Sequence, residues 1–189
     1  MIAKDVIKNV ATNLGLTDLL NTTLLDGSKT PDENQTNDVN ILISCCNMVI
    51  NQVASEYVTL KKKTKLTSNT GVIKYSSIST NIIVDILKVK LNGIEVPFYC
   101  SVNNLETSPG SLEIEFAYQP ANCTHINSEI DFNNFKLSSR VMAYGVAAEY
   151  CFINGNYDDA LIWDNRFKTS LTNINRARRE LKIKERLWM

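Results

Sequence analysis

The chain has 189 residues, 20 Lys and Arg against 20 Asp and Glu, and an apolar fraction of 44%, so it is long and apolar enough to bury a core and wholesale disorder is excluded. Five cysteines (Cys45, Cys46, Cys100, Cys123, Cys151), two adjacent and none at a recurring interval, argue against a secreted disulfide scaffold. No apolar run reaches the length of a membrane span, and Lys4, Asp5 and Lys8 interrupt the only early apolar stretch, so the chain reads as cytoplasmic in origin with no membrane partner. The zero net charge hides an asymmetry. Residues 166–189 hold eight bases against Glu180 and Glu185, a net +6, which leaves −6 on residues 1–165. An acidic body with a basic end favours contact between complementary surfaces.

Three regions follow in chain order. In the first, residues 1–58, Ile2, Val6, Val10 and Leu14 recur every four residues and predict a helix, with Gly15 where a left-handed residue commonly ends one. Thr17 or Asp18 is expected to cap a short second helix through Leu19, Leu20, Leu24 and Leu25. A polar loop containing Pro31 comes next. Thr36 and Asn37 then precede an amphipathic stripe at Val39, Leu42, Cys46, Val49, Val53 and Tyr57. Of the adjacent Cys45 and Cys46, only one is expected to face the core.

Residues 59–132 change character, with short β-branched and aromatic runs between turn residues. Strands are predicted at 82–84, 86–91 and 94–99, and Asn92-Gly93 signals a type I′ hairpin, whose two central residues need positive φ. Pro97 removes a backbone donor, so its strand lies at an edge or stops there. After the Ser108-Pro109-Gly110 turn, Leu112, Ile114 and Phe116 alternate with Glu113 and Glu115, as in an antiparallel sheet with one wet face.

Residues 136–189 return to helix. Leu137, Val141, Tyr144, Ala148 and Phe152 are expected to share one face, and Asn154-Gly155 to end the run. Asn156 is placed to cap a second helix bearing Ala160, Trp163, Phe167, Ile174, Ala177 and Leu181, with Asp158 and Asp159 in its first turn. So short a link makes an antiparallel helical hairpin. The predicted fold is therefore α+β: a helical bundle of N-terminal helices plus the C-terminal hairpin, with an inserted antiparallel β-sheet domain.

Candidate chemistry is sparse. His125 is the only histidine, and Cys123-x-His125 with distant Cys100 and Cys45 or Cys46 matches no recurrent zinc framework. There is no G-x-S-x-G, P-loop or G-x-G-x-x-G, so neither catalysis nor a cofactor is expected. Lys61-Lys62-Lys63-x-Lys65 reads as a lysine-protected edge strand, with a nucleic-acid patch as the alternative. The basic stretch 176–186, followed by Leu187-Trp188, reads as an interaction arm, because Arg and Trp dominate interface hot spots, with a plain polar helix end as the alternative. Ala143, Gly145, Ala147 and Ala148 let another helix approach closely, either within the chain or from a second subunit.

The run from Arg140 to Ala160, with its A-x-E-Y string at Ala147, Glu149 and Tyr150, its Gly155 turn, and Trp163, Arg166 and Phe167 beyond, resembles the end of bacteriophage head–tail connector (adaptor) proteins. The close from Arg176 to Trp188 is similar too, and the order of helices, β-domain and helical hairpin resembles the tail tubular protein A type of adaptor from short-tailed phages. The resemblance implies a structural virion protein of the neck, made in the host cytoplasm. It implies a homo-oligomeric ring, twelve-fold in that family, which joins the portal protein to the tail or nozzle protein. DNA passes through the channel without specific binding. By the same resemblance Arg176, Arg178, Arg179, Lys182, Lys184, Arg186 and Trp188 dock the portal, and the sheet faces the tail. Ala143, Gly145, Ala147, Ala148, Trp163 and Phe167 pack subunits. The alternative function is a nucleic-acid-binding module using the basic tail and Lys61–Lys65.

Overall fold

The computed structural model describes residues 1–132 and 137–178, with side chains through residue 174. Its helices are α1 (Ala3–Asn13), α2 (Thr17–Leu20), α3 (Glu33–Gln52), α4 (Tyr75–Ile78), α5 (Ser139–Ile153) and α6 (Tyr157–Arg178). A 3₁₀ turn covers Thr23–Leu25, and a π-helical turn, Val53–Tyr57, follows α3. The strands are β1 (Lys61–Ser68), β2 (Val72–Lys74), β3 (Ile83–Leu91), β4 (Ile94–Glu95), β5 (Tyr99–Cys100), β6 (Asn104–Glu106) and β7 (Gly110–Tyr118). All ladders between them are antiparallel, so the class is α+β. The chain forms two compact units. One gathers Met1–Val49, Cys123–Glu129 and the C-terminal helices; the other holds Ile50–Asn122 and the return from Ile130. The crossing at 49–50 falls inside α3, ahead of the composition change at 58, because α3 continues past the point where its own unit ends.

In the helical unit α1 buries Ala3, Val6, Ile7, Val10 and Ala11 and packs on α5. The Asn9 amide donates to Ser139 Oγ across that contact (3.3 Å). Gly15 ends the helix with φ +69°. Neither Thr17 nor Asp18 caps α2. Leu16 takes the cap position, and the expected helix breaks into α2 and the 3₁₀ turn, where Thr22 Oγ1 donates to the Leu19 carbonyl (2.7 Å). Nor does α3 wait for Thr36. Asp32 and Gln35 form a reciprocal capping box: the Gln35 N–H donates to Asp32 Oδ1 (2.7 Å) and the Asp32 N–H to Gln35 Oε1 (3.0 Å). The stripe of α3 is buried at Val39, Leu42, Cys46, Val49 and Val53, but so are Cys45 and Ile50. Its buried arc is therefore wider than a single stripe, and both adjacent thiols lie inside.

The α5 helix corrects the expected face. Ser138 Oγ caps it, accepting from the Val141 N–H (3.3 Å), and Met142, Ala143, Gly145, Val146, Ala147, Ala148 and Cys151 are its buried residues. Val141 and Tyr144 are half-buried, and Phe152 lies at the exposed end. Small residues dominate the interior where α1 and α6 both pack against this helix, with Met142 the one long side chain enclosed there. At Gly145 a Cβ would lie 3.0 Å from Val49 Cγ1 and 3.1 Å from the Phe167 ring, so α3, α5 and α6 meet where glycine alone fits without displacement. Gly155 (φ +77°) turns the chain, and the Ala160 N–H donates to the Asn156 carbonyl at the start of α6 (3.0 Å). Along α6 the buried residues are Ala160, Phe167 and Leu171, the last unforeseen.

In the sheet unit the main sheet has the order β1-β7-β3-β4, and β2-β6-β5 form a second, smaller one. On central β7, Leu112, Ile114 and Phe116 are buried, and the alternation with Glu113 and Glu115 holds. The two short strands expected at 82–91 are one strand. The register shifts between Ile83 and Asp85 and again between Ile86 and Lys88, which leaves Val84 and Leu87 as extra residues and breaks the period-2 pattern. Asn92 (φ +50°) and Gly93 (φ +89°) form the expected turn, and β4 ends at Glu95, ahead of Pro97.

Gly145→Ala sets a helix-propensity gain of about 1 kcal/mol against overpacking of about 1–3 kcal/mol. Phe167 is 1% exposed and cannot swing away, so the expected outcome is a net loss of about 1 kcal/mol in denaturant unfolding, by the difference of those two effects. Unchanged or raised stability would show that the three helices do not close so tightly.

Candidate functional site

The hairpin of α5 and α6 carries a group of polar and aromatic side chains in contact at its surface. Tyr144 and Trp163 stack with ring centroids 5.7 Å apart and an interplanar angle of 25°. Arg140, one turn before Tyr144, donates from Nε to the Tyr144 hydroxyl (2.8 Å), and the Arg166 guanidinium lies 4.8 Å from the centre of the Trp163 ring. Arg140, Tyr144, Asn165, Arg166, Thr169 and Ser170 line a shallow groove without a carboxylate among them. Neither guanidinium pairs with a carboxylate among the described residues. Two arginines braced on aromatic rings present planar donor forks suited to carboxylate or phosphate oxygens.

At the turn of the same hairpin, Phe152, Ile153, Tyr157, Leu161 and Ile162 are exposed, with Tyr157 at 64%. The Phe152 and Tyr157 rings lie 6.4 Å apart. Asp158 and Asp159 stand exposed within this apolar cluster, in the first turn of α6, where the backbone dipole favours negative charge.

Of the residues expected to pack subunits, Ala143, Gly145, Ala147, Ala148 and Phe167 are buried inside the chain's own helical unit. Of the two readings left open for the small residues, burial favours the one within the chain, where the approaching helices belong to the same helical unit. Trp163 is half-buried and alone of the six keeps surface to offer. In the expected portal-docking arm, the backbone of α6 extends through Arg176 and Arg178, whose side chains lie outside the described part. Arg179, Lys182, Lys184, Arg186 and Trp188 lie outside the described residues. The Arg140–Tyr144–Trp163–Arg166 arrangement was missed, although spacings of four and three along two helices are its signal.

Lys61–Lys65 lies on β1, an edge of the main sheet, with its lysines exposed. Lys63 Nζ reaches Glu113 (3.8 Å) and Glu115 (3.5 Å), and Lys65 Nζ reaches Glu113 (3.9 Å). Lys88 and Lys90 on β3 lie in register with Glu115 and Glu113 from the other side. Each exposed pair is worth about 0–1 kcal/mol, and because the lysines outnumber the glutamates the pairs offset only part of the positive charge on the wet face. Beside the π-helical turn a cleft of about 500 Å³ has Leu60, Val84 and Ala117 in its walls, and Gln119 Nε2 donates to Asn51 Oδ1 (2.7 Å) in its lining.

The candidate metal ligands do not converge. Among the described residues, no group of three or more His, Cys, Asp or Glu could hold a metal ion. Asn47 fixes Cys123 through its backbone, accepting from the Cys123 N–H (2.7 Å) and donating to its carbonyl (3.0 Å). Burial pushes the Cys45 thiol up to about 11, and it raises Cys46, Cys123 and Cys151 as well, so these thiols stay protonated near neutrality. Cys100 alone is exposed. Glu149 on α5 is raised, first by burial and then by the nearby Asp164 carboxylate. No helix among the described residues is long and apolar enough to cross a membrane.

Comparison with protein families and with curated proteins gives no match to this chain.

Two measurements check these environments. A thiol reagent such as DTNB should titrate one of the five cysteines quickly in the folded protein and the rest only on unfolding; several fast thiols would contradict the buried placements. Glu149 holds its proton more tightly folded than unfolded, so its contribution to stability falls as pH rises from its ordinary value of 4.5 through its raised value. Glu149→Gln should therefore raise the melting temperature at pH 7 and leave it unchanged at pH 4, and equal effects at both pH values would rule this out.

Proposed function

We propose that the chain is a structural virion protein, a bacteriophage head–tail adaptor that assembles as a homo-oligomeric ring, joins the portal to the tail and continues the DNA channel. The observation that carries this reading is the cluster of large apolar side chains left in water at the hairpin turn. A monomer gains nothing by exposing Phe152, Ile153, Tyr157, Leu161 and Ile162 side by side, whereas a subunit that covers them against a partner does. The cluster lies in the segment on which the adaptor resemblance rests. The acidic body and basic end of the chain favour the same kind of assembly, since contacts between complementary faces of identical copies close into rings.

In this reading the stretch from Arg176 to Trp188 reaches the portal, and no residue acts on a substrate. The nucleic-acid alternative draws less support, because Lys63 and Lys65 already face Glu113 and Glu115. Removing residues 176–189 should leave a subunit with the unfolding midpoint of the full chain that no longer co-purifies with portal particles. Undiminished joining by the shortened chain would remove the arm from the account.

A further inference from the structure

With the small residues of α5 packed inside the chain, the surfaces that meet in an oligomer must be sought elsewhere. Two features of the hairpin stand without partners. In the groove, the Arg140 and Arg166 guanidinium groups are braced on Tyr144 and Trp163 and face no carboxylate among the described residues. At the turn, Asp158 and Asp159 face no basic group among the described residues, and the exposed Tyr157, Leu161 and Ile162 lie within about one turn of them along α6. One feature offers planar cationic donors beside aromatic edges. The other offers two adjacent carboxylates beside apolar surface. They are complementary in charge and in polarity.

We propose that these two surfaces bind each other between copies: the hairpin turn of one subunit, led by Asp158 and Asp159, seats in the Arg140–Arg166 groove of the next. This rests on the oligomeric reading above and names its contact. Guanidinium forks take carboxylates in a bidentate manner, and preorganisation on the aromatic rings reduces the ordering cost of doing so. Phe152, Tyr157 and Leu161 then lose water against the rim of the Tyr144–Trp163 stack. Tip and groove are different patches, about 12 Å apart along α6 at the rise of an α-helix. Each copy therefore has one of each to offer, and the proposed head-to-tail contact continues from copy to copy, closing a ring where the rotation between copies allows.

A nucleic acid fits the groove less well. Tyr144 and Trp163 already stack on one another, so neither offers the open platform on which unpaired bases settle. Two arginines neutralise too few phosphates to hold a duplex against a body carrying −6.

The test uses the full chain and two surface variants, Arg140→Gln with Arg166→Gln in the groove and Asp158→Asn with Asp159→Asn at the turn, compared by sedimentation at low salt up to millimolar concentration. The wild-type protein should associate beyond the dimer and lose that association as salt rises. Each variant alone should melt as the wild type does and associate at least tenfold more weakly. An equal mixture of the two should form dimers and stop there, because the intact turn of one meets the intact groove of the other once. A wild-type chain that stays monomeric throughout, a closed wild-type dimer, or a mixture no more associated than its components would overturn the contact. So would a groove variant that associates normally but loses DNA binding, which would assign the groove to nucleic acid. None of these results removes the chain from a virus particle, so the adaptor reading fails or stands by a separate observation.

Discussion

The helical unit depends on one close approach, at Gly145. Val49 from α3 and Phe167 from α6 come to the bare Cα of α5 at distances that a side chain would occupy. Around that point Ala143, Ala147 and Ala148 continue the narrow interior, and the aromatic residues of α5, Tyr144 and Phe152, lie at its margin and its end. What the hairpin shows to solvent follows from this. Close to Gly145 the inside of α5 holds small groups, while Tyr144 stacks at the edge with Trp163 and Phe152 projects at the turn. Interior packing and exterior chemistry are two sides of one steric constraint.

The sheet unit follows a different logic. Its central strand, β7, buries Leu112, Ile114 and Phe116 and turns Glu113 and Glu115 toward lysines on both neighbouring strands. The lysines of the edge strand blunt it against pairing with another chain, and Lys63 and Lys65 also meet Glu113 and Glu115 across the wet face.

Much of this was legible in the sequence where the signal is local. The Asn92-Gly93 turn, the alternation along β7, the stripe of α3 and the Gly155 break all depend on residues within one element or turn. What was not legible depends on partners distant in sequence. The capping of α3 by Asp32 and Gln35 is local and was available, but Thr36 and Asn37 drew the boundary later. The bulges at Val84 and Leu87 hide one strand as two, since each extra residue resets the alternation. The face expected for α5 holds at Leu137 and Ala148, but Val141, Tyr144 and Phe152 lie toward the surface, because the residues next to the close approach at Gly145 are mostly small. Cys45 and Cys46 are both buried because α3 is enclosed over more of its circumference than one stripe accounts for. At the hairpin surface, the arginines and aromatics were each visible, but only the packing of α5 on α6 brings Tyr144 to Trp163.

The chain so organised has a closely packed hairpin core, an exposed apolar turn and a cationic groove, and a sequence end of concentrated positive charge. Its proposed work is mechanical: to hold its place between larger components. Imaging the phage particle by electron cryomicroscopy tests this most directly. The account predicts a closed ring of this chain at the portal vertex, around the DNA channel and between portal and tail. Mature particles lacking the chain, or carrying it away from that vertex, would contradict it.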